Sequence, residues 1–311
     1  CHGGAEHAWC PFPCLATRSP PWQHSGTHAS LTSPQEAKVH TRALLIMNTT
    51  ATGHNNSGHA PHCSRNMQCA NPATCRQHAV LTDMEVAARM RNQHLQFWGD
   101  SVSALMECDL RERVLRAVGA SNARIGRTSG YFPTLNASSS YIRVGCPWTC
   151  SVGKLRAAPD KTHIIFNIGS HYEADGVYRG FDGQHFANSL RQFEPTLRRT
   201  NARVVIRSQT KTHFPTPFGY FNRTLSANEW RTHPPPACMA RPPADGLHFT
   251  EVEIRRFATR LDADYLDVLG LSDDPNAHPQ YHDGKPVFDC RHPCQNCDTL
   301  GTWNSALLSL F

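Results

Sequence analysis

Short apolar runs alternate with helix-patterned segments along the chain from about residue 83 onward. Runs of the buried-strand type occur at 95–98, 164–166 and 204–206. Strands that alternate with helices favour a parallel sheet covered on both faces. The pattern therefore predicts an α/β domain, a three-layer sandwich, over residues 83–311. A functional site in such a domain is expected beyond the carboxyl ends of its strands.

Local signals predict where the helices begin and end. Helical spacing of apolar residues or a terminal signal predicts helices over 83–90, 102–118, 188–194 and 248–261. Thr82 is the expected cap of the first helix, and Pro195 is expected to end the third. The Pro-rich stretch 215–243 is predicted to be an irregular loop beside the site.

Two short motifs indicate chemistry at the sheet edge. Gly99-Asp100-Ser101 follows the first apolar run, and Asp289 and His292 stand three residues apart near the C-terminus. A serine hydroxyl needs a base to become a nucleophile, and the usual base is a histidine whose other ring nitrogen is held by a carboxylate. We predict that Ser101, His292 and Asp289 form a catalytic triad for acyl transfer, with Ser101 at the N-terminus of a helix, where an oxyanion is stabilised. For each motif alone a structural interpretation is open: a capped strand-turn-helix joint and a buried histidine.

The residues that would assist a triad are less sharply defined by sequence. Asn167 follows the second apolar run and is a candidate oxyanion donor, with the backbone N–H of Ser101 or Val102 as a second donor. A helix or turn cap is the alternative role for Asn167. The residues that could line a substrate cleft are Gly99, Asp100, Gly169, His171, Arg207 and His213; a structural role is open for each side chain.

These residues resemble the SGNH (GDSL-type) hydrolase superfamily, and within it the PC-esterase and trichome-birefringence-like polysaccharide O-acetyltransferase branch. The resemblance covers most of the chain after about Cys75 and rests on the two motifs and on segments between them: 163–169, Arg207-Ser208, His213-Phe214, Ala277-His278-Pro279 and Thr302-Trp303-Asn304. It departs from the plant members at Ala104, where they usually carry Arg, and at Pro293, where they usually carry Trp. The chain is similar to a divergent branch, such as an algal one.

The resemblance implies an SGNH-type fold and a serine enzyme that moves an acetyl group to or from a glycan hydroxyl. It implies a glycine as a further oxyanion donor, which could be Gly130 or Gly145. It implies no bound cofactor and no metal. A transferase would need an acetyl donor such as acetyl-CoA, whereas transfer to water would make the protein an acetylesterase. A second class of function is open as well: a non-catalytic extracellular structural or glycan-binding glycoprotein that retains the fold.

Composition excludes some partners. The net charge of +6 is carried by scattered Lys and Arg, without a basic stripe interleaved with aromatics, so nucleic acid is not expected as a partner. No apolar run approaches the roughly 18 residues of a membrane helix. Membrane attachment is expected only through an anchor upstream of Cys1.

Cysteine usage predicts an oxidising compartment. The chain has 13 Cys, many closely spaced, and residues 1–82 read as a Cys-rich, disulfide-stapled extension. Because 13 is odd, at least one thiol is left to stay free or to pair with another chain. Sequons occur at Asn48, Asn55, Asn136 and Asn222. These features favour the secretory pathway, either the Golgi lumen or the cell exterior and wall. The alternative for Cys290, His292, Cys294 and Cys297 is a set of zinc ligands.

Overall fold

The computed structural model describes the chain from residue 67 onward, with gaps. The described residues are 67–69, 73, 75, 79–146, 150, 152–155, 160–172, 174–175, 182–214, 219, 221–222, 238–239, 248–279, 281–282, 285–286, 289–294 and 297–311. Most of the predicted extension 1–82 lies outside them, and its boundary stays a prediction. The sequons at Asn48 and Asn55 and most of the stretch 215–243 lie outside as well.

The described elements alternate as the sequence predicts. The strands are β1 (Met67–Gln68), β2 (His94–Gly99), β3 (Arg124–Ile125), β4 (Ser129–Phe132), β5 (Ala137–Arg143), β6 (His163–Phe166), β7 (Ala174–Asp175), β8 (Arg203–Arg207), β9 (Phe221–Asn222), β10 (Asp264–Leu266), β11 (Tyr281–His282) and β12 (Lys285–Pro286). The α-helices are α1 (Asp83–Met90), α2 (Ser101–Val118), α3 (Gly183–Arg198), α4 (Phe249–Leu261) and α5 (Thr299–Leu308).

A seven-stranded sheet forms the middle layer, in the order β10-β8-β6-β2-β5-β4-β3. The strands from β10 to β5 in this order run parallel, and β4 and β3 add an antiparallel edge. From β2 the chain proceeds to β5 on one side and then crosses to β6 on the other side. The direction of winding reverses beside β2, and α/β sheets bind ligands in the crevice at such a reversal.

Helices cover both faces of this sheet, which confirms the predicted three-layer α/β class. On one face α1, α2 and α5 pack over Phe97, with Met106 and Trp303 in the same core. On the other face α3 and α4 pack over Trp98 together with Phe193. Successive residues of β2 point to opposite faces, so both faces of the strand need apolar side chains. Leu95, Phe97 and Trp98 supply them, and the buried Gln96 side-chain oxygen accepts a hydrogen bond from the Trp98 indole N–H at 2.9 Å.

The helix start at Thr82 is confirmed in detail. The Thr82 hydroxyl accepts a hydrogen bond from the Glu85 backbone N–H at 3.3 Å, and the Glu85 carboxylate accepts one from the Thr82 N–H at 2.8 Å. This reciprocal pair is a capping box, which satisfies two N–H groups that a helix start leaves open. None of the helices that the structure describes combines the length and the apolar character needed to cross a membrane.

The prediction that Pro195 ends the third helix is wrong. α3 begins at Gly183 and continues past Pro195 to Arg198. The apolar stripe Phe186, Leu190, Phe193 and Leu197 keeps helical spacing across the proline and is buried. Pro195 itself is exposed. Burial of the stripe on both sides of Pro195 therefore outweighs the lost backbone hydrogen bond.

Candidate active site

Ser101 stands at the joint between the central strand and the helix that follows it. β2 ends at Gly99, and Ser101 is the first residue of α2. Between them Asp100 caps the helix, because its carboxylate accepts a hydrogen bond from the Val102 N–H at 2.9 Å. Ser101 is partly exposed whereas its neighbours Asp100 and Val102 are buried. The sharp joint therefore presents the serine hydroxyl at the carboxyl edge of the sheet.

Gly99 makes this joint possible because its α-carbon is closely surrounded. A β-carbon at Gly99 would lie 2.2 Å from the Ser103 hydroxyl oxygen and 2.7 Å from the Asn167 carbonyl oxygen. The Asn167 N–H in turn donates to the Trp98 carbonyl at 3.0 Å. The end of β2 and the end of β6 thus touch at Gly99, and a side chain there would push them apart.

His292 and Asp289 complete the arrangement that the sequence predicted. The Ser101 Oγ lies 2.6 Å from His292 Nε2, although the two residues are 191 positions apart in sequence. His292 Nδ1 lies 2.6 Å from Asp289 Oδ2. With the proton on Nδ1, the imidazole donates to Asp289 and accepts from the Ser101 hydroxyl. The structure therefore assembles all three side chains as a hydrogen-bonded chain; their catalytic role stays a prediction.

The backbone of the same turn holds Asp289 in its charged form. Asp289 Oδ1 accepts hydrogen bonds from the N–H groups of Arg291 and His292 at 3.0 and 3.1 Å. Burial alone would raise the pKa of Asp289, but the His292 ring and these two N–H donors outweigh it and hold the pKa well below its usual range. Asp289 is thus a carboxylate at neutral pH, as an orienting residue for a histidine base must be.

Disulfides anchor the turn on both sides of His292. Cys290, between Asp289 and His292, is bonded to Cys238, and Cys294, two residues after His292, is bonded to Cys69. These crosslinks tie the turn to parts of the chain that are distant in sequence. They fix the backbone from which Asp289 and His292 project.

Asn167 does not take the position predicted for an oxyanion donor. Its side-chain amide donates to the carbonyl oxygens of Arg207 at 2.8 Å and of Ser208 at 3.1 Å. Both amide hydrogens are therefore used to join the ends of β6 and β8. The Val102 N–H, already bonded to Asp100, is not open either, so the Ser101 N–H stays as the predicted donor.

The two glycine candidates for the oxyanion hole lie in different places. Gly130 belongs to β4, on the antiparallel side of the sheet, where its α-carbon faces the Arg111 side chain. Gly145 follows β5, and the preceding Val144 N–H donates to the Gly99 carbonyl at 2.8 Å. Gly145 is the candidate that the structure brings to the Ser101 end of the sheet.

Most of the predicted cleft residues are buried, so little of their surface is open to a substrate, and their place in a cleft stays a prediction. Arg207, the last residue of β8, is 1% exposed, and His213 is 0% exposed. Gly99, Asp100 and Gly169 are buried as well. We expect these residues to stabilise the packing around the site.

His171 is the one predicted cleft residue with partial exposure in the described part of the chain. Burial lowers its pKa to about 4, with Arg291, His292 and Arg143 adding to the lowering, although Asp100 opposes it. His171 is therefore neutral near pH 7 and lies within electrostatic reach of both His292 and Asp100. A neutral imidazole at this place can donate or accept one hydrogen bond from a ligand.

The structure also reveals a buried residue behind the triad whose role the sequence did not indicate. His278 Nδ1 lies 2.9 Å from the backbone carbonyl of His292. The sequence marked it only as part of a segment that resembles a family. A histidine between Ala277 and Pro279 has no local signal that would assign it to the triad, because the contact spans 14 residues of irregular chain.

The zinc alternative does not match the structure. His292 faces Ser101, and Cys290 is bonded to Cys238, so the four predicted ligands do not converge. A different sulfur group does converge among the described residues: Cys69, Cys75, Cys294 and Cys297 lie within 4.8 Å of one another. These four are paired as Cys69–Cys294 and Cys75–Cys297. Paired sulfurs have no thiolate to offer a metal ion.

The predicted sequon at Asn136 lies on the surface, as glycosylation requires. Asn136 is exposed and left-handed, with φ 48°, at the turn before β5. Its side-chain amide donates to the Asn92 side-chain oxygen at 3.1 Å. For Asn222, which lies in β9, the side chain is outside what the structure describes. Glycosylation itself stays a prediction.

Comparisons with known proteins add two structural likenesses. An α/β hydrolase enzyme from the metagenome of Lake Arreo, Spain, matches with a TM-score of 0.35 and 16% identity, covering 70% of this chain and 93% of that one. A protein from Parabacteroides merdae described as a GDSL-like lipase matches with a TM-score of 0.36 and 11% identity, covering 70% and 95%. No protein-family model matches the chain, and no curated protein does. The interpretation of the site therefore depends on its own geometry.

Proposed function

We propose that the protein is a serine-dependent acyltransferase that moves an acetyl group onto a glycan hydroxyl through an ester on Ser101. The observation that carries the proposal is the chain of two 2.6 Å hydrogen bonds from Ser101 through His292 to Asp289. This order of contacts is what an activated serine requires. The acetyl group and the glycan acceptor are supported by the sequence resemblance.

The chemistry is a double displacement. Ser101 Oγ attacks the carbonyl carbon of the acetyl donor while His292 Nε2 takes the hydroxyl proton, and Asp289 stabilises the resulting imidazolium. The oxyanion would accept from the Ser101 N–H at the N-terminus of α2. Collapse of this intermediate expels the donor's leaving group, which receives the proton from His292. The product is an acetyl ester on Ser101.

In the second half a sugar hydroxyl attacks this ester. His292 takes the proton of the sugar hydroxyl, the acetyl group passes to the sugar oxygen, and Ser101 recovers its proton. If water attacks instead, the protein is an acetylesterase with the same triad. Neither course requires a metal or a bound cofactor. The described disulfides support a place in an oxidising compartment, and we propose the secretory pathway.

The enzyme class is tested with a fluorophosphonate probe, which labels an activated serine covalently. We expect labelling of the parent protein at Ser101, located by mass spectrometry, and none in Ser101→Ala. Ser103→Ala is the matched control, since Ser103 lies on the same helix but is buried. A folded parent protein that resists the probe would favour the non-catalytic glycan-binding glycoprotein.

The acceptor is tested by mass spectrometry with an activated acetyl ester and a panel of cell-wall oligosaccharides. An acetyl adduct on Ser101 that moves to a sugar would support the transferase. An adduct that is lost only to water would make the protein an esterase. The same assay with acetyl-CoA tests that donor directly.

A further inference from the structure

A line of buried imidazoles leads from the protein interior to the backbone of His292. His213 Nδ1 lies 2.7 Å from His278 Nε2, and His278 Nδ1 lies 2.9 Å from the His292 carbonyl oxygen. His213 is 0% exposed and His278 is 6% exposed. A carbonyl oxygen can only accept, so His278 must carry a proton on Nδ1.

This requirement determines the protonation of the whole line. Burial lowers the pKa of His278, so its ring is neutral and Nε2 is a bare acceptor. His213 must then carry its proton on Nδ1 in order to donate to His278. Burial lowers the pKa of His213 to about 4, and its Nε2 has no hydrogen-bond partner in the part of the chain that the structure describes. Each ring thus donates in one direction, towards His292.

The charged groups around the line are compatible with two neutral rings. Burial holds the pKa of His278 below its usual value and the His292 ring adds to this, although Asp289 and Asp274 favour the charged ring. Near His213 lie Asp273, whose Oδ1 is 3.8 Å from Nε2, and Lys211, whose ammonium is paired with Asp273 at 2.9 Å. Lys211 therefore neutralises the carboxylate that would otherwise favour a charged His213.

The backbone of the same residues holds the turn that carries the triad. The His213 N–H donates to the Cys290 carbonyl at 2.8 Å, and the Cys294 N–H donates to the Ala277 carbonyl at 2.8 Å. Between these two backbone hydrogen bonds, the His278 side chain forms a third one, to the carbonyl of His292. This hydrogen bond restrains the peptide that follows His292 and so favours the backbone geometry from which the imidazole reaches Ser101.

We infer that His278 is a positioning residue for His292, and that His213 holds His278 in the tautomer that this role needs. The inference rests on the proposed function, because it assigns a device that orients the proposed base. Both side chains are buried and act through His292. The inference predicts that the hydrogen-bond donor at Nδ1 is the atom of His278 on which this role depends.

Two substitutions of His278 distinguish the contribution of Nδ1 from that of the rest of the ring. The amide nitrogen of Asn is as many bonds from the α-carbon as Nδ1, whereas the amide of Gln matches Nε2. His278→Asn therefore retains a donor to the His292 carbonyl, and His278→Gln loses it while keeping a partner for His213. We expect fluorophosphonate labelling of Ser101 within about fivefold of the parent rate in His278→Asn, and slower by about 10- to 100-fold in His278→Gln. His163→Gln, a buried histidine outside the line, is the control and should label at the parent rate.

A second readout needs no chemistry at Ser101. The hydrogen-bonded proton between His292 and Asp289 gives a far-downfield proton NMR resonance, which should persist in His278→Asn and broaden or vanish in His278→Gln. If the parent protein resists the probe, the proposed function fails, and the resonance alone decides the inference. Equal effects of the Asn and Gln variants, or parent-like behaviour of folded His278→Gln, would overturn it. Should the His278 variants not fold, His213→Asn and His213→Gln make the same comparison one ring further back.

Discussion

Two hydrogen bonds of 2.6 Å connect the side chains of Ser101, His292 and Asp289. A different substitution tests the proposed role of each residue. The hydrogen bonds of the Asp289 carboxylate go to the His292 ring and to the backbone of the turn. Its carboxylate can be replaced by an amide of the same shape, which separates its charge from its packing.

We predict that Asp289→Asn slows probe labelling of Ser101 by about 10²- to 10⁴-fold while the protein stays folded. The amide oxygen can still accept from the N–H groups of Arg291 and His292, but a neutral side chain cannot stabilise the imidazolium. Labelling rates at pH 7 measure the effect, with thermal unfolding as the check on folding. Asp160→Asn, at an exposed ion pair with Lys161, is the control; a parent-like rate in Asp289→Asn would contradict the assigned role.

The close contacts of Gly99 allow a prediction for both stability and labelling. Gly99→Ala would place a methyl group 2.2 Å from the Ser103 hydroxyl and 2.7 Å from the Asn167 carbonyl, so we expect a loss of about 1–3 kcal/mol in the free energy of unfolding and slower labelling of Ser101. Urea unfolding measures the first effect. Gly270→Ala, where a β-carbon meets nothing within 4 Å, should change neither quantity. A fully stable Gly99→Ala would show that the strand ends can separate freely.

At the scale of elements, α3 shows tertiary packing overriding a local breaker. Pro195 has no N–H to bond the carbonyl of Arg191, yet the helix continues because the buried stripe resumes at Leu197. If packing compensates for the hydrogen bond that is missing at Pro195, a residue that restores this bond should make the protein more stable.

Pro195→Ala is therefore expected to raise the free energy of unfolding by about 1–2 kcal/mol. The gain from a restored helical bond and from the removal of the ring clash, about 3 kcal/mol at most, is reduced by the larger conformational freedom of the unfolded chain. Urea unfolding at pH 7 tests this, with Gln192→Ala on the same exposed face as control. A destabilised variant would mean that the ring of Pro195 makes a stabilising contact.

The helix α2 contains a carboxyl group whose ionisation opposes folding. Burial raises the pKa of Glu112 to about 7, and Asp109 adds to the rise, although Arg116 and Arg111 oppose it. Between about pH 4.5 and 7 the folded protein keeps a proton that the unfolded chain releases. Stability therefore falls as pH rises through this window, and the full cost is present above pH 7.

Glu112→Gln removes this ionisation. We expect the variant to match the parent protein near pH 4.5 and to exceed its free energy of unfolding at pH 8 by about 1–3 kcal/mol. Urea unfolding at pH 4.5, 6 and 8 gives the profile. The same difference at all three pH values would point to packing instead of ionisation.

At the scale of the whole molecule, disulfides connect the turn of the proposed triad to distant chain. Cys238–Cys290 closes 52 positions of sequence, and Cys69–Cys294 closes 225. Cys146–Cys150 closes only 4. Long closures restrict the unfolded chain most, so the bonds that anchor the turn should also contribute most to stability.

The Cys238→Ser, Cys290→Ser double variant is expected to lose about 4 kcal/mol of unfolding free energy, from the chain entropy of its loop. Ser101 labelling should slow as well, because the segment between Asp289 and His292 loses its anchor. Cys146→Ser, Cys150→Ser should lose about 2 kcal/mol and keep the parent labelling rate. Urea unfolding and probe kinetics on both pairs test this; equal labelling in both would mean that the turn is held without its disulfide.

The alternation of helices and strands and the two motifs of the proposed triad can be recognised in the amino-acid sequence. The alternation and each motif are local properties, whereas the meeting of the two motifs is not. A strand buried on both faces is mostly apolar, as Phe97 and Trp98 show, and a nucleophilic serine needs a turn and a base of few possible types.

Which groups are buried, and which hydrogen-bond partners they have, follows from the tertiary structure. It buried Arg207 and His213, gave the Asn167 amide two backbone carbonyls, carried α3 past Pro195, and placed His278 behind His292. The physical reason is the same in each case. Burial and hydrogen-bond partners depend on segments that lie far apart in sequence and meet only when the sheet and its loops are assembled, so local spacing does not contain them.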